Sequence, residues 1–306
     1  MNILITGGLG AIGVPLGAKL RQRGHTIWVC DLPHAPGPNY LRCDVADFRQ
    51  VQRVLDTVAP EFIYHLAAEF GRVNGEDHYE KVWRTNAIGT KNLLRFQEQR
   101  KFRMCFSSSS EVYGDWDNSM SEDVPERHPI RQLNDYAISK WVNEMQIVNS
   151  ATRFGTETVR VRLFNTYGPG EHYSEYRSVI CQFVYRALHD LPYTVYLDHH
   201  RTSSYISDTV HTLANIADPQ RFKPGEVYNI AGSEYHDIKT VSDAILAQLE
   251  KDDRLVKYEH REDHNTRDKK GDLRKAQREL GHRTRVKLAD GIPLTIAWQK
   301  ETYGFG

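Results

Sequence analysis

Short, β-branched apolar runs alternate with longer amphipathic stretches through the first half of the chain. Ile3–Thr6, Thr26–Cys30, Phe62–Leu66 and Phe102–Phe106 predict strands, and the segments between them predict helices. Strand and helix in alternation call for a parallel sheet, because parallel strands need crossover connections and right-handed crossovers cover both faces. The expected fold is therefore α/β and doubly wound. Arg160–Phe164 predicts a further strand, after which the alternation loosens. Helical spacing returns at Val179–Leu188, Ile238–Glu250 and Leu288–Trp298, and Tyr193–Leu197 predicts a strand of a smaller lobe. The expected division is a doubly wound domain over 1–164 and a smaller lobe over 165–306, with some segments returning to the first domain.

Composition narrows the function by exclusion. In 306 residues, 40 basic and 40 acidic side chains cancel, so no global field favours nucleic acid or an anionic membrane. No apolar run approaches the length that crosses a bilayer. The four cysteines show no Cys-x-x-Cys spacing and the chain opens on a strand, which places the expected setting in the cytoplasm. The 14 histidines have no recurrent carboxylate–histidine spacing, so no metal site is expected. The serine run Ser107–Ser110 has neither a Gly-x-Ser-x-Gly elbow nor an assignable histidine, which argues against a hydrolase. His65, inside an apolar strand, is expected to be a hydrogen-bonded core residue.

Local chemistry is more specific. Thr6-Gly7-Gly8-Leu9-Gly10-Ala11-Ile12-Gly13 stands between the first strand and the first helix. Gly7 permits a tight turn, Gly10 lets backbone approach a pyrophosphate, Gly13 allows close packing of the helix, and the helix N-terminus offers free N–H groups. Asp31 follows about twenty residues after the glycines, where a carboxylate accepts hydrogen bonds from the adenosine ribose and repels a 2′-phosphate. Leu32 and Pro33 supply no arginine, so NAD is favoured over NADP. Asp44, after the next strand, is expected near the adenine edge. Tyr136 and Lys140, four apart, share a helix face, and an ammonium beside a phenol favours the phenolate.

Together with His65-Leu66-Ala67-Ala68, Asn86-Ala87-Ile88-Gly89-Thr90, Ser109-Ser110-Glu111-Val112-Tyr113-Gly114 and Arg162-Leu163-Phe164-Asn165, these motifs make the chain resemble the extended short-chain dehydrogenase/reductase family. That family comprises NAD-dependent nucleotide-sugar epimerases and dehydratases on a Rossmann fold, and the resemblance covers nearly the whole chain. It implies that Ala11, Ile12, Leu66, Ala67, Ala68 and Asn86 join the glycines, Asp31 and Asp44 around NAD. It further implies that Ser109 orients a sugar hydroxyl, that Tyr136 is the base and Lys140 its partner, and that Ser110, Asn165 and Arg201 contact a nucleotide-diphosphate sugar. A second phosphate-binding arginine falls between Arg261 and Arg267, with Arg267 preferred. Homodimerisation is implied through the helices at Asp77–Arg100 and Asn134–Arg153, with Trp141, Met145 and Val148 either on that face or against the sheet.

The implied chemistry is oxidation at C4 to a transient 4-keto sugar. If the sugar turns over and is reduced on its other face, the enzyme is a 4-epimerase, which demands the fewest groups and stands narrowly ahead. If C5 reacts, Glu111 makes it a lyase, a dehydratase or a UDP-glucuronate decarboxylase. Glu69 resembles the 4,6-dehydratases, yet Ser110 occupies the position of their aspartic acid, and no arginine for a substrate carboxylate is identifiable. Glu111 has the further option of satisfying backbone donors at the strand end. Rivals of other classes are a dehydrogenase with net redox turnover and a non-catalytic nucleotide-sugar sensor, against which the complete set Ser109, Tyr136 and Lys140 argues.

Overall fold

A computed structural model describes residues 1–305. Seven parallel strands form one sheet: β1 (Asn2–Thr6), β2 (Thr26–Asp31), β3 (Tyr40–Arg42), β4 (Phe62–His65), β5 (Arg103–Ser109), β6 (Thr158–Leu163) and β7 (Val227–Ile230). Their spatial order is β7-β6-β5-β4-β1-β2-β3. The order reverses at β1, and the crevice beyond the carboxyl ends of β1 and β4 is where open sheets of this kind bind ligands. β1 is central, pairing Ile3 with both Ile27 and Phe62. Its alternate side chains feed opposite faces: Ile3 and Ile5 enter one core cluster with Leu16 and Leu20, while Leu4 enters another with Ile63, Leu93 and Met104.

Crossover helices α1 (Gly13–Gln22), α2 (Phe48–Val58), α3 (Gly89–Arg100) and α4 (Asp135–Phe154) cover the sheet. Their boundaries follow local chemistry. The Asp47 carboxylate accepts from the N–H groups of Arg49 and Gln50 to start α2, Asn134 accepts from Ala137 N–H to start α4, and Gly155 at φ +63° ends α4. β7 extends the sheet from the second half of the chain. Val-Tyr-Asn-Ile is buried on both faces, so it carries no polar–apolar alternation that would mark it.

The remaining segments build a mixed four-stranded sheet (His236–Asp237, His200–Arg201, Asp268–Gly271, Ser119–Met120) beside the carboxyl ends of the main strands. Tyr193–Tyr196 pairs in parallel with Val256–Glu259. No helix among the described residues is long and apolar enough to cross a membrane, and no group of three His, Cys, Asp or Glu among them is placed to hold a metal ion.

Candidate active site

A cleft of about 560 Å³ runs from the glycine turn to the small sheet. At its first end the glycines are where a side chain cannot go. Gly7 has φ +67°, and a Cβ there would lie 2.7 Å from the Ala67 backbone; one on Gly13 would lie 2.6 Å from Gly8 Cα. Gly13 thus packs helix against loop. A Cβ on Gly10 would meet only the Gly7 carbonyl, at 3.3 Å, and would project into space that the cleft needs for a ligand. Gly8, to which the sequence assigns no task, presses on Val29 of β2. No side chain caps α1 at Ile12; Val14 N–H is taken by the Gly10 carbonyl, so the Gly10–Gly13 turn that lines the cleft is the part of this helix start open to an anion. Asp31 accepts from Leu9 N–H at 2.9 Å and Leu32 N–H at 2.8 Å, which fixes its carboxylate at the rim. Asp44 lines the same end and accepts from Ala46 N–H at 2.9 Å. Leu66, Ala67 and Ala68 form the facing wall, and Ala11 and Ile12 the near one. These residues fit a dinucleotide.

The floor beneath this wall is polar and closed. His65 is 1% exposed and bridges the hydroxyls of Thr6 (2.8 Å) and Thr90 (3.0 Å), and burial together with the Lys140 charge lowers its pKa to about 3. It is a neutral imidazole, as expected of a core histidine.

Beyond the floor, β5 ends in the serine run and α4 brings Tyr136 and Lys140 to the same cleft. Ser109 caps the 3₁₀ turn Ser110–Tyr113 by accepting from Glu111 N–H at 3.2 Å. Burial raises the Tyr136 phenol well above its ordinary value, against a hydrogen bond with the Ser109 hydroxyl, and the Glu111 charge adds to the rise. The lysine does not offset this. Its Nζ donates to the Ser107 carbonyl at 2.7 Å and lies 5.9 Å from the centre of the Tyr136 ring, and burial lowers its own pKa to about 7. Within the protein's own groups, desolvation of the phenol outweighs a cation that is itself desolvated.

The far end holds charges. Glu111 is ion-paired with Lys269; burial opposes its ionisation, but Lys269, Arg72 and Arg201 together hold its pKa below the ordinary value. Its carboxylate is committed to Lys269, not to backbone donors. Lys269 is lowered to about 8, chiefly by burial, then by the arginines. Arg201 donates to the carbonyls of His200 (2.8 Å) and Arg267 (2.7 Å). Ser110 and Asn165, the latter at φ +37°, complete the lining here.

Two predicted residues lie elsewhere. Asn86 is buried but does not line the cleft. It sits in a π-helical turn, Trp83–Ile88, and its carboxamide accepts from Glu69 N–H (2.9 Å) and donates to the Glu69 carbonyl (2.9 Å) and Ser139 (3.0 Å), so it braces the Glu69 segment of the wall. Arg267 precedes the strand Asp268–Gly271 and turns outward to the Asp198 carbonyl at 3.0 Å; Arg261 is exposed beside Asp263. Strand alternation instead buries Lys269 and exposes Lys270. The adjacent Lys269-Lys270 on a short strand was the available signal. Arg72 and Glu262, also in the cleft, had none. Nor had Glu144, which under the serine run receives Arg162 at 2.9 and 3.0 Å, Arg160 at 3.4 Å and the Ser108 hydroxyl at 2.5 Å.

Comparison with known proteins agrees with this geometry. The model of the "NAD dependent epimerase/dehydratase family" matches residues 3–231. UDP-glucuronic acid decarboxylase 1 of Xenopus tropicalis is 30% identical over 96% of this chain and 71% of its own. UDP-N-acetyl-alpha-D-glucosaminuronate decarboxylase of Bacillus cytotoxicus is 28% identical over 97% of both. Among solved structures, UDP-glucose 4-epimerase of Thermotoga maritima is 25% identical with a TM-score of 0.88, covering 99% of this chain and 100% of that one. The chain belongs to the NAD dependent epimerase/dehydratase family, and NAD is the cofactor for which its glycine turn is built.

Proposed function

We propose that this protein decarboxylates a nucleotide-linked uronic acid through a transient 4-keto sugar. The carrying observation is the buried Glu111–Lys269 pair beside Tyr136. Burying two charges costs several kcal/mol before their attraction is counted, and a 4-epimerisation, needing only Ser109, Tyr136 and room for the sugar to turn, gives them no task. The names of the two decarboxylases similar to this chain support the same reading.

In this mechanism Ser109 and Tyr136 hold the 4-hydroxyl, and Tyr136 takes its proton as the phenolate, the form that Lys140 and the cationic nicotinamide of bound NAD would favour. Bound NAD supplies the reversible hydride acceptor at C4. With C4 a ketone, the C5 carboxylate is a β-keto acid: the bond to carbon dioxide breaks and its electron pair enters the enolate. C5 then takes a proton from the Glu111–Lys269 pair, since a lysine titrating near 8 gives and regains a proton at neutral pH. Tyr136 returns its proton to the C4 oxygen. Positive charges lining this end of the cleft, Lys269 and Arg201, would favour the enolate.

The likeness to the Thermotoga epimerase sustains 4-epimerisation as the second reading. Incubation of the NAD-loaded protein with UDP-glucuronic acid separates the two by product mass. Loss of carbon dioxide without accumulating NADH is the expected result, and unchanged mass with inverted C4 rejects decarboxylation.

We also propose a homodimer through α3 and α4. Ile88, Met145 (55% exposed) and Val148 (47%) leave an apolar face uncovered there, whereas Trp141 packs inward against the Val112–Tyr113 cluster. Light scattering from a monomer at micromolar concentration would contradict it.

A further inference from the structure

Glu262 lies on the stretch between the strands Val256–Glu259 and Asp268–Gly271 and reaches into the cleft between two guanidinium groups. Arg72, on the short helix Arg72–Asp77 that follows β4, forms an ion pair with one carboxylate oxygen, and the other lies 3.9 Å from Arg201 Nη2. Asn265 donates to that second oxygen at 2.5 Å, while its own Oδ1 is buried without a partner. Arg201 spends Nη1 on two carbonyls, which leaves Nη2 for this direction.

A protein carboxylate is thus seated where two planar guanidinium groups converge, the arrangement that recognises a carboxylate best. The place is at the reacting end of the cleft. Glu111 feels the charge of both arginines, and Tyr136 feels the charge of Glu111. The segment does not depend on the Glu262 side chain alone, because its backbone and Thr266 are held by Asn134 donating to the His264 carbonyl at 3.1 Å and by Thr266 donating to the Gly114 carbonyl.

We infer that Arg72, with Arg201, reads a carboxylate on the substrate's sugar, and that Glu262 holds this place until substrate binds and then yields it. Arg72 is then the residue that separates an acidic from a neutral sugar, and Glu262 is an internal competitor that sets the affinity. The inference rests on the uronic-acid reading above and adds the groups that would select that substrate. The helix bearing Arg72 is tied to the Tyr136 helix: a Cβ on Gly75 would lie 2.8 Å from Tyr136 N, and Glu76 accepts from Asp135 N–H at 3.1 Å. Carboxylate binding at Arg72 is therefore registered against the base.

Calorimetric titration of the NAD-loaded full chain with UDP-glucuronic acid, UDP-glucose and UDP tests this, with melting temperature as the folding control. Wild type is expected to prefer UDP-glucuronic acid. Arg72→Gln is expected to lose about tenfold or more in affinity for it, the size of a charge-assisted contact, while UDP-glucose and UDP stay within about twofold. Glu262→Gln is expected to bind UDP-glucuronic acid several-fold more tightly and leave the other two unmoved. Equal weakening of all three ligands by Arg72→Gln would assign Arg72 to the diphosphate and overturn the inference. So would weaker binding of UDP-glucuronic acid by Glu262→Gln, or a wild-type preference that survives in Arg72→Gln. A wild type that does not discriminate between the two sugars would overturn the proposed substrate class itself, and this inference with it.

Discussion

The two ends of the cleft are built in opposite ways. The cofactor end consists of neighbours in sequence: the glycine turn, the Asp31 carboxylate fastened to Leu9 and Leu32 N–H, and the Leu66–Ala68 wall that follows β4. It contains almost no ion pairs and binds through shape and backbone. The substrate end is assembled from Arg72, Glu111, Arg201, Glu262 and Lys269, residues up to 197 positions apart that meet as charges. Backbone geometry constrains residue type tightly, because nothing replaces Gly7. Charge clusters constrain only the sum, so their members can trade places along the chain while the site keeps its chemistry. A family can hold one cofactor and vary its sugar for that reason.

The strongest test of this contrast falls at the junction. Tyr136→Phe removes the proton acceptor shared by both ends and is expected to lower kcat by about 10²- to 10⁴-fold, with the dissociation constant of the nucleotide sugar little changed. Steady-state kinetics with calorimetry reads both; retained turnover would remove Tyr136 from its assigned role.

Next in size is the floor. Arg162→Met strips the buried Glu144 of its closest cation and is expected to cost about 3 to 5 kcal/mol of unfolding free energy in urea. Glu144 then has only Arg160, at 3.4 Å, and Ser108. A loss below 1 kcal/mol, roughly that of an exposed pair, would show that the network is not the support of the serine run.

His65 gives a pH test confined to the cofactor side. Its folded pKa, near 3, lies below the ordinary 6.5, so the unfolded chain takes up the proton first as pH falls. His65 is expected to contribute about 1.4 kcal/mol of lost stability for each pH unit below about 6.5, until its folded pKa is reached, on top of the loss from His236, itself lowered to about 4. His65→Gln should flatten that slope in urea titrations at successive pH values; an unaltered slope would place the titration elsewhere.

The smallest expected effect is on cofactor choice. Asp31→Ser removes the ribose acceptor and the repulsion of a 2′-phosphate, and is expected to weaken NAD by about tenfold while narrowing its advantage over NADP. Fluorescence titration with each dinucleotide measures both.

How much of this was legible beforehand follows the same division. The β1–α1 turn, the Thr26 and Phe62 strands and the Tyr136–Lys140 helix announce themselves through glycine spacing and periodicity, which are local properties. β7 does not, because a strand buried on both faces loses its alternation. The sequence offers Arg261 and Arg267 for the second arginine, with Arg267 preferred, but only the start of a strand at Asp268 shows that Lys269 is the side chain turned inward. Arg72, Glu262 and the Glu144–Arg162 pair depend on contacts between distant segments. Spacing places Tyr136 and Lys140 on one helix face, but that burial acts on phenol and lysine together is a property of the folded cleft. Glu111 was legible as a residue, while its partner was not.

Whether this cleft breaks the bond between C5 and its carboxylate is read from turnover of UDP-glucuronic acid in deuterium oxide, with the product analysed by NMR and mass spectrometry. A UDP-pentose carrying solvent deuterium at C5 is the predicted product. A six-carbon uronate with inverted C4 and no deuterium would contradict decarboxylation and make the protein a 4-epimerase.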